Sequence, residues 1–214
     1  MTPPLRTVHC TDGLHWLATN PLPADHALLT SLPDSSELRR LGFAQWCEWF
    51  RSACEAVLRA TPSRSAAIFY QTDVKRDGRW VDKAFLVQQG AAAAGVPLVW
   101  HKIVCRAPAG IATGGRPGYA HLLCFSGELG ETADLATADV LPELGKMTWP
   151  RAMGQAAVEF AVTWLRERAG ARTVVDPFCG VGTALAVANR LGLDAIGIEI
   201  APRRAAVARG LQVP

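Results

Sequence analysis

Residues 173–199, TVVDPFCGVGTALAVANRLGLDAIGIE, constrain the fold more than any other part of the chain. An apolar run ends at Asp176, a turn carries Gly180 and Gly182, a helix begins at about Val181, and a second strand ends at Glu199. Glycines in such a turn let the backbone come close to a ligand, and the helix N-terminus adds free N–H groups and a partial positive charge. Glu199 lies nineteen residues beyond Gly180, where a carboxylate can accept both hydroxyls of a ribose. Only fifteen residues follow Glu199, too few for the other strands such a sheet needs, so the missing strands have to come from residues before 172.

The upstream sequence can supply them. Short β-rich runs alternate with longer helical patterns, the signature of an α/β domain with a mainly parallel sheet. The pattern predicts seven strands, at 6–10, 26–31, 66–71, 97–103, 119–126, 172–176 and 194–199. It predicts helices over 36–60, capped by Ser35 or Ser36, and over 80–94, 151–168, 181–191 and 202–210. Residues 105–118, rich in glycine and proline, read either as a substrate-facing loop or as a surface connection. Residues 127–148 are acidic and weakly periodic, with room for some helix.

Composition narrows the setting. A chain of 214 residues that is 50% hydrophobic can bury the core of a single domain. No long uncharged apolar run and no signal-peptide layout in MTPPLRTVHC are present, which predicts a cytoplasmic protein that does not enter a membrane. The six cysteines have no CxxC spacing, so reduced, mostly buried thiols and no metal site are expected. A net charge of +3 does not by itself call for nucleic acid.

Three ligands compete for the glycine turn. A P-loop requires GxxxxGK[ST], and no lysine is in place; a dinucleotide fingerprint requires GxGxxG, and position 185 is leucine. DPFCGVGT followed by GIEI instead resembles the first motif and the acidic strand of S-adenosylmethionine (SAM)-dependent methyltransferases. With the cofactor motif last, the order resembles the circularly permuted exocyclic-amino nucleic-acid methyltransferases, which act on cytosine N4 or adenine N6. That resemblance implies a Rossmann-like, seven-stranded, mainly parallel class I fold in one permuted domain over 1–214. Residues 1–126 would form the catalytic half, 127–148 a connector and 149–214 the SAM-binding half.

The resemblance also assigns residues. RTVHCTDGLHWL places Asp12 near the adenine of SAM, and DHALLTSLPD places Ser31, Leu32, Pro33 and Asp34 at the catalytic turn. In KMTWPRAMGQ, Thr148 and Pro150 stand where the family covers the methionine end of the cofactor. Asp176, Pro177, Phe178 and Cys179 lead into the glycine turn; Gly180, Gly182 and Thr183 form it, and Glu199 with Ile200 closes the site.

Methyl transfer from a sulfonium is an in-line displacement, so alignment of nucleophile, carbon and sulfur carries most of the catalysis. Ser31 Oγ and the Leu32 carbonyl would accept the two N–H groups of the target amine and stabilise its developing positive charge. Pro33 would keep the turn rigid. Position 34 departs from the family pattern, which has an aromatic ring there. Asp34 reads as an acceptor for the substrate, as a general base, or as a cap for the following helix. Phe69, Tyr70, Trp80 or Tyr119 could supply an aromatic platform in its stead. Asp73, Lys75, Lys102 and Arg106 near strand ends, and Arg116 in the 105–118 loop, are the candidate substrate contacts. His101 and His121 read as structural histidines.

Both spare loops are small, while a sequence-reading DNA enzyme usually carries a large recognition region. The resulting expectation is an enzyme modifying structured RNA, tRNA or rRNA, with DNA N4-cytosine or N6-adenine methylation as the alternative. Methylation of a protein or small-molecule amine, or a non-catalytic SAM-binding partner, stays open, as does pairing with a protein partner or a second copy.

Overall fold

The computed structural model describes residues 3–130 and 136–214. One eight-stranded sheet takes its strands from both ends of the chain: β1 (Arg6–His9), β2 (His26–Thr30), β3 (Ala67–Gln71), β6 (Leu98–Cys105), β7 (Tyr119–Phe125), β8 (Val140–Leu141), β9 (Thr173–Asp176) and β10 (Asp194–Ile198). A separate two-stranded ribbon joins β4 (Val74–Arg76) to β5 (Arg79–Val81). The spatial order is β1-β10-β9-β2-β3-β7-β6-β8, parallel except for β7, which runs antiparallel to both neighbours.

The central strands are nearly all apolar because both faces of the sheet are covered. On one face pack α4 (Gln155–Arg168), α5 (Thr183–Arg190) and α6 (Pro202–Gly210), around Val158, Leu165, Leu185 and Ala205. On the other lie α1 (Gly13–Thr19), α2 (Phe43–Ala60) and α3 (Lys83–Ala94), around Leu17, Trp46, Phe50 and Val87. From β9 the chain winds outward through α5 to β10; from β2 it winds the opposite way through α2 to β3. The strand order therefore reverses between β9 and β2, where open α/β sheets leave a crevice at their carboxyl ends.

The differences from the sequence reading are local. The eighth strand, β8, comes from the 127–148 stretch, and residues 131–135 of that stretch, where some helix is expected to fit, lie outside the described residues. The 36–60 helix begins only at Phe43. Asp34 O accepts from Glu37 N (2.8 Å) and Leu38 N (3.3 Å), and Leu38 O accepts from Leu41 N (2.9 Å), so residues 34–41 spend their backbone groups in turns. Gly42 is the N-cap residue of this helix, its N–H donating to Gln45 Oε1 (2.9 Å), and neither Ser35 nor Ser36 caps it. The 80–94 helix loses its first turn to the ribbon. Asp77 and Gly78 adopt φ of 50° and 74°, as a tight hairpin requires, and Asp82 then caps α3 through Phe85 N (2.8 Å).

Candidate active site

At the switch point the carboxyl ends of β10, β9, β2 and β3 open onto a cavity of about 870 Å³. One wall is the glycine turn. Asp176, at the end of β9, is fully buried; its Oδ1 accepts from Thr30 Oγ1 (2.7 Å) and Phe178 N (3.1 Å), while Oδ2 has no partner among the described residues. Burial pushes its carboxyl up to about 7, against the opposing bonds from Thr30 and Phe178. Pro177, Phe178 and Cys179 line the wall, and burial raises the Cys179 thiol well above its ordinary range.

The two glycines of the turn do different work. Gly180 has φ of 55°, and a Cβ there would project into open space on the cavity wall. Gly182, at φ 90°, does not line the cavity; a Cβ on it would come within 2.9 Å of the Ala208 backbone, so it lets α6 pack against the turn. Thr183 opens α5 and shares a 2.6 Å hydrogen bond with Thr148, which itself stays off the cavity wall. Pro150 lies on the wall, as does Ile200.

Glu199 is buried beside the cavity, and one oxygen, Oε1, accepts from Ala201 N (2.8 Å). Asp12 reaches the same end of the cavity because β1 is paired with β10, and Glu199 N donates to His9 O (3.1 Å). Asp12 also caps α1, accepting from His15 N (2.8 Å).

The opposite wall is Ser31-Leu32-Pro33-Asp34, directly after β2. Pairing of His26, Ala27 and Leu28 with Thr173, Val174 and Val175 sets that corner beside the glycine turn, and the Thr30–Asp176 bond ties the two strand ends together. Trp49 of α2 meets Phe178 edge-on with ring centroids 6.0 Å apart. The corner is held from outside by Trp46 Nε1, which donates to Pro33 O (3.2 Å). No hydrogen bond among the described residues engages Ser31 Oγ or the Leu32 carbonyl. Asp34 does not cap a helix with its side chain, which forms an ion pair with Lys83 Nζ.

The candidate substrate contacts divide. Lys75, Arg106 and Arg116 line the cavity, with Arg116 Nη1 donating to Pro150 O (2.9 Å). Asp73 also faces it, yet is committed to the fold: Oδ1 accepts from Lys83 N (2.9 Å), and Oδ2 receives His121 Nε2 (3.1 Å) and Tyr119 Oη (3.4 Å). Burial pushes the Asp73 carboxyl up, but these bonds together hold it below the ordinary aspartate range.

Lys102 does not belong to the site. On β6 it alternates onto the face away from Asp73, is fully buried, and donates to Thr137 O (3.0 Å) and Asp139 Oδ1 (3.2 Å) of the connector. His101 and His121 are hydrogen-bonded to each other (2.9 Å), in keeping with a structural role. Asp73, Asp82 and His121 bring possible metal-binding atoms within 4.8 Å of one another. The same groups also accept from Lys83 N, Tyr119 Oη and Phe85 N, and His121 bonds to Asp73.

Of the aromatic candidates, Phe69 is core and Tyr70 is buried at the cavity edge. Trp80 is 52% exposed and stacks on Tyr119 at 6.3 Å, outside the cavity wall.

Gly13, Glu37 and Lys83 are among the site residues that escaped the sequence reading. Gly13 packs so tightly on the glycine turn that a Cβ would lie 2.0 Å from the Pro177 carbonyl oxygen. Glu37 accepts from Asp34 N (3.3 Å) and from Arg204 Nη1 (3.2 Å), bridging the corner to α6. Lys83 reaches Asp34 across 49 positions of sequence. The only local signal for any of them was the Asp-Gly pair at 12–13 opening a helix.

Among curated proteins no match to the chain is found. The N6_N4_Mtase family model, described as DNA methylase, matches residues 168–209, the segment that carries the glycine turn and Glu199. Solved structures match nearly end to end. The PvuII DNA methyltransferase (cytosine-N4-specific) superposes with a TM-score of 0.74 at 17% identity, covering 98% of this chain and 89% of that one. A putative DNA modification methylase from Thermus thermophilus, in complex with S-adenosyl-L-methionine, gives 0.71 at 20% identity, covering 95% and 91%. The M1.HpyAVI–SAM complex gives 0.62 at 14%, covering 96% and 98%. The likeness to these structures is one of fold: the α/β methyltransferase architecture with a large, mostly parallel sheet.

Proposed function

We propose that this chain is a SAM-dependent N-methyltransferase of the N4-cytosine/N6-adenine type, and that it methylates an exocyclic base amine of DNA. The observation that carries the reading is the sharing of one cavity by the glycine turn and the Ser31–Asp34 corner, although 145 residues separate Ser31 from Asp176. The family match over 168–209 supports the cofactor and the class of reaction.

The residues present fit SAM. Asp176 Oδ2 is a buried acceptor on the cavity wall without a partner among the described residues, suited to the ammonium of the methionine moiety. Glu199 keeps Oε2 for ribose hydroxyls, Asp12 stands at the adenine end, and Gly180 leaves the wall open to close approach. When bound, SAM supplies an electrophilic methyl carbon on a sulfonium. The chain's own part is alignment: Ser31 Oγ and the Leu32 carbonyl accept the N–H bonds of the amine, which turns its lone pair outward. The Trp46 bond to Pro33 and the Thr30–Asp176 bond keep both walls in register.

DNA is preferred to RNA here, against the expectation from loop size. This chain spans 89% of the PvuII DNA methyltransferase chain, so a small recognition surface does not argue for RNA. Arg106, Arg116 and Lys75 at the rim suit a phosphate backbone. The division into a catalytic half over 1–126 and a SAM-binding half over 149–214, within one permuted domain, belongs to the same proposal.

The test is incubation with methyl-labelled SAM and separate pools of genomic DNA, total RNA and protein, followed by nucleoside mass spectrometry. Label is expected on a base amine of DNA. Label confined to RNA or protein, or tight SAM binding with no transfer to any pool, would overturn the reading.

A further inference from the structure

Lys83 is the least expected group in the cavity. It is the first residue of α3, its side chain is only 4% exposed, and it lines the wall together with Ser31, Leu32 and Asp34. Its place is fixed at both ends: Asp73 Oδ1 holds its backbone N–H, and the Asp34 carboxylate holds its ammonium, which also lies 5.9 Å from the centre of the Phe50 ring. An ammonium carries three N–H donors. Among the described residues Asp34 is its only hydrogen-bond acceptor, and the side chain lines the cavity, so its other two N–H groups are available to a molecule bound there. A buried donor left unmet is costly, and Lys83 shares the cavity wall with Ser31 Oγ and the Leu32 carbonyl, which accept no hydrogen bond among the described residues.

We infer that Lys83 is a specificity-determining residue that reads the base next to the methylated amine, and that it selects cytosine over adenine. The inference rests on the proposed methylation of a base amine. On the edge of either base that carries the amine, the neighbouring atom is a ring nitrogen acceptor. In cytosine the next atom is the O2 acceptor; in adenine it is a C–H. With the amine held by Ser31 Oγ and the Leu32 carbonyl, cytosine therefore offers one acceptor to each free N–H of Lys83, whereas adenine leaves one donor buried and unpaired. Asp34 completes the arrangement. It neutralises the ammonium, so that a positive charge stands near the reacting nitrogen without opposing the charge that develops there. The acidic residue at position 34 thus replaces stacking on the base by recognition of its edge.

The experiment compares wild type with Lys83→Met, which keeps the length of the side chain and removes the donors, and with Lys83→Arg, which keeps them. Genomic DNA methylated with labelled SAM is digested and assayed for N4-methylcytosine and N6-methyladenine, with SAM binding measured alongside as a report on the fold. Wild type is expected to place label on cytosine N4, in excess over adenine N6 by roughly tenfold or more. Lys83→Met is expected to lose roughly ten- to a hundredfold in kcat/KM on cytosine DNA and to lose the preference, with SAM affinity within about twofold of wild type. Lys83→Arg is expected to retain the preference. If the methionine variant does not bind SAM, Lys83→Gln, polar and of similar reach, is read in its place. Label on adenine N6 in wild type overturns this inference and leaves the proposed function standing; so does a Lys83→Met enzyme with unchanged cytosine preference. Label on no base removes both.

Discussion

Replacing Asp176 by asparagine separates what the carboxylate does for the cofactor from what its burial does to the fold. In the free protein its carboxyl is held up to about 7 against an ordinary 3.8, burial being the main cause. Between those two values the folded chain keeps a proton that the unfolded chain releases, so stability falls as pH rises and levels off above about 7. Over that span the loss is about 4 kcal/mol, at roughly 1.4 kcal/mol per pH unit. Asp176→Asn keeps an oxygen for Thr30 Oγ1 and Phe178 N but cannot ionise. Its unfolding free energy should therefore be flatter with pH, and at pH 8 without cofactor it should exceed wild type by about 1–3 kcal/mol, the remainder being offset by an unpaired amide N–H. Cofactor reverses the order. Binding of the methionine ammonium favours the ionised carboxylate, so wild-type SAM affinity should weaken up to about tenfold per unit as pH drops below 7. In the asparagine variant, affinity should be weak and nearly independent of pH. Urea unfolding and calorimetric SAM titration from pH 5 to 8 measure both. Parallel stability profiles for the two proteins, or unchanged SAM affinity in the variant, would refute the reasoning.

Gly13→Ala would push a methyl group into the Pro177 carbonyl, and a loss of about 1–3 kcal/mol in stability with weaker SAM binding is expected from thermal melts and titration. Ser31→Ala should lower turnover about a hundredfold with cofactor affinity retained, whereas Glu199→Ala should weaken the cofactor first; steady-state kinetics beside direct binding would expose exchanged roles. Arg116→Ala should weaken DNA binding and reduce its salt dependence by about one counterion, while Lys102→Met should leave both unchanged and alter only stability; fluorescence anisotropy over a range of salt concentrations tests the pair.

The sequence was legible wherever the fold is enforced locally. DPFCGVGT and GIE write a strand, a positive-φ turn and a helix start into consecutive residues, and the alternation of short apolar runs with amphipathic stretches marks seven strands of the main sheet and every helix but α1. Legibility failed where a local pattern met a competing contact. The Asp77-Gly78 turn turned a helix start into a ribbon, and the short β8 strand gave too few residues for any period to register. Lys102 looked like a phosphate contact because charge is visible in sequence, but the face of the strand it occupies is decided by register against β7 and β8.

By itself the sequence located the two turns that face the cavity, because each is a contiguous stretch after a strand whose geometry is set by neighbouring residues. Only the tertiary structure decided that the walls meet and what fills the corner between them. The pairing of β2 with β9 is a contact between chain segments far apart in order, and the Lys83–Asp34 pair joins the start of α3 to the turn after β2. Such contacts depend on how layers pack over the whole sheet, and no short window of sequence carries that information.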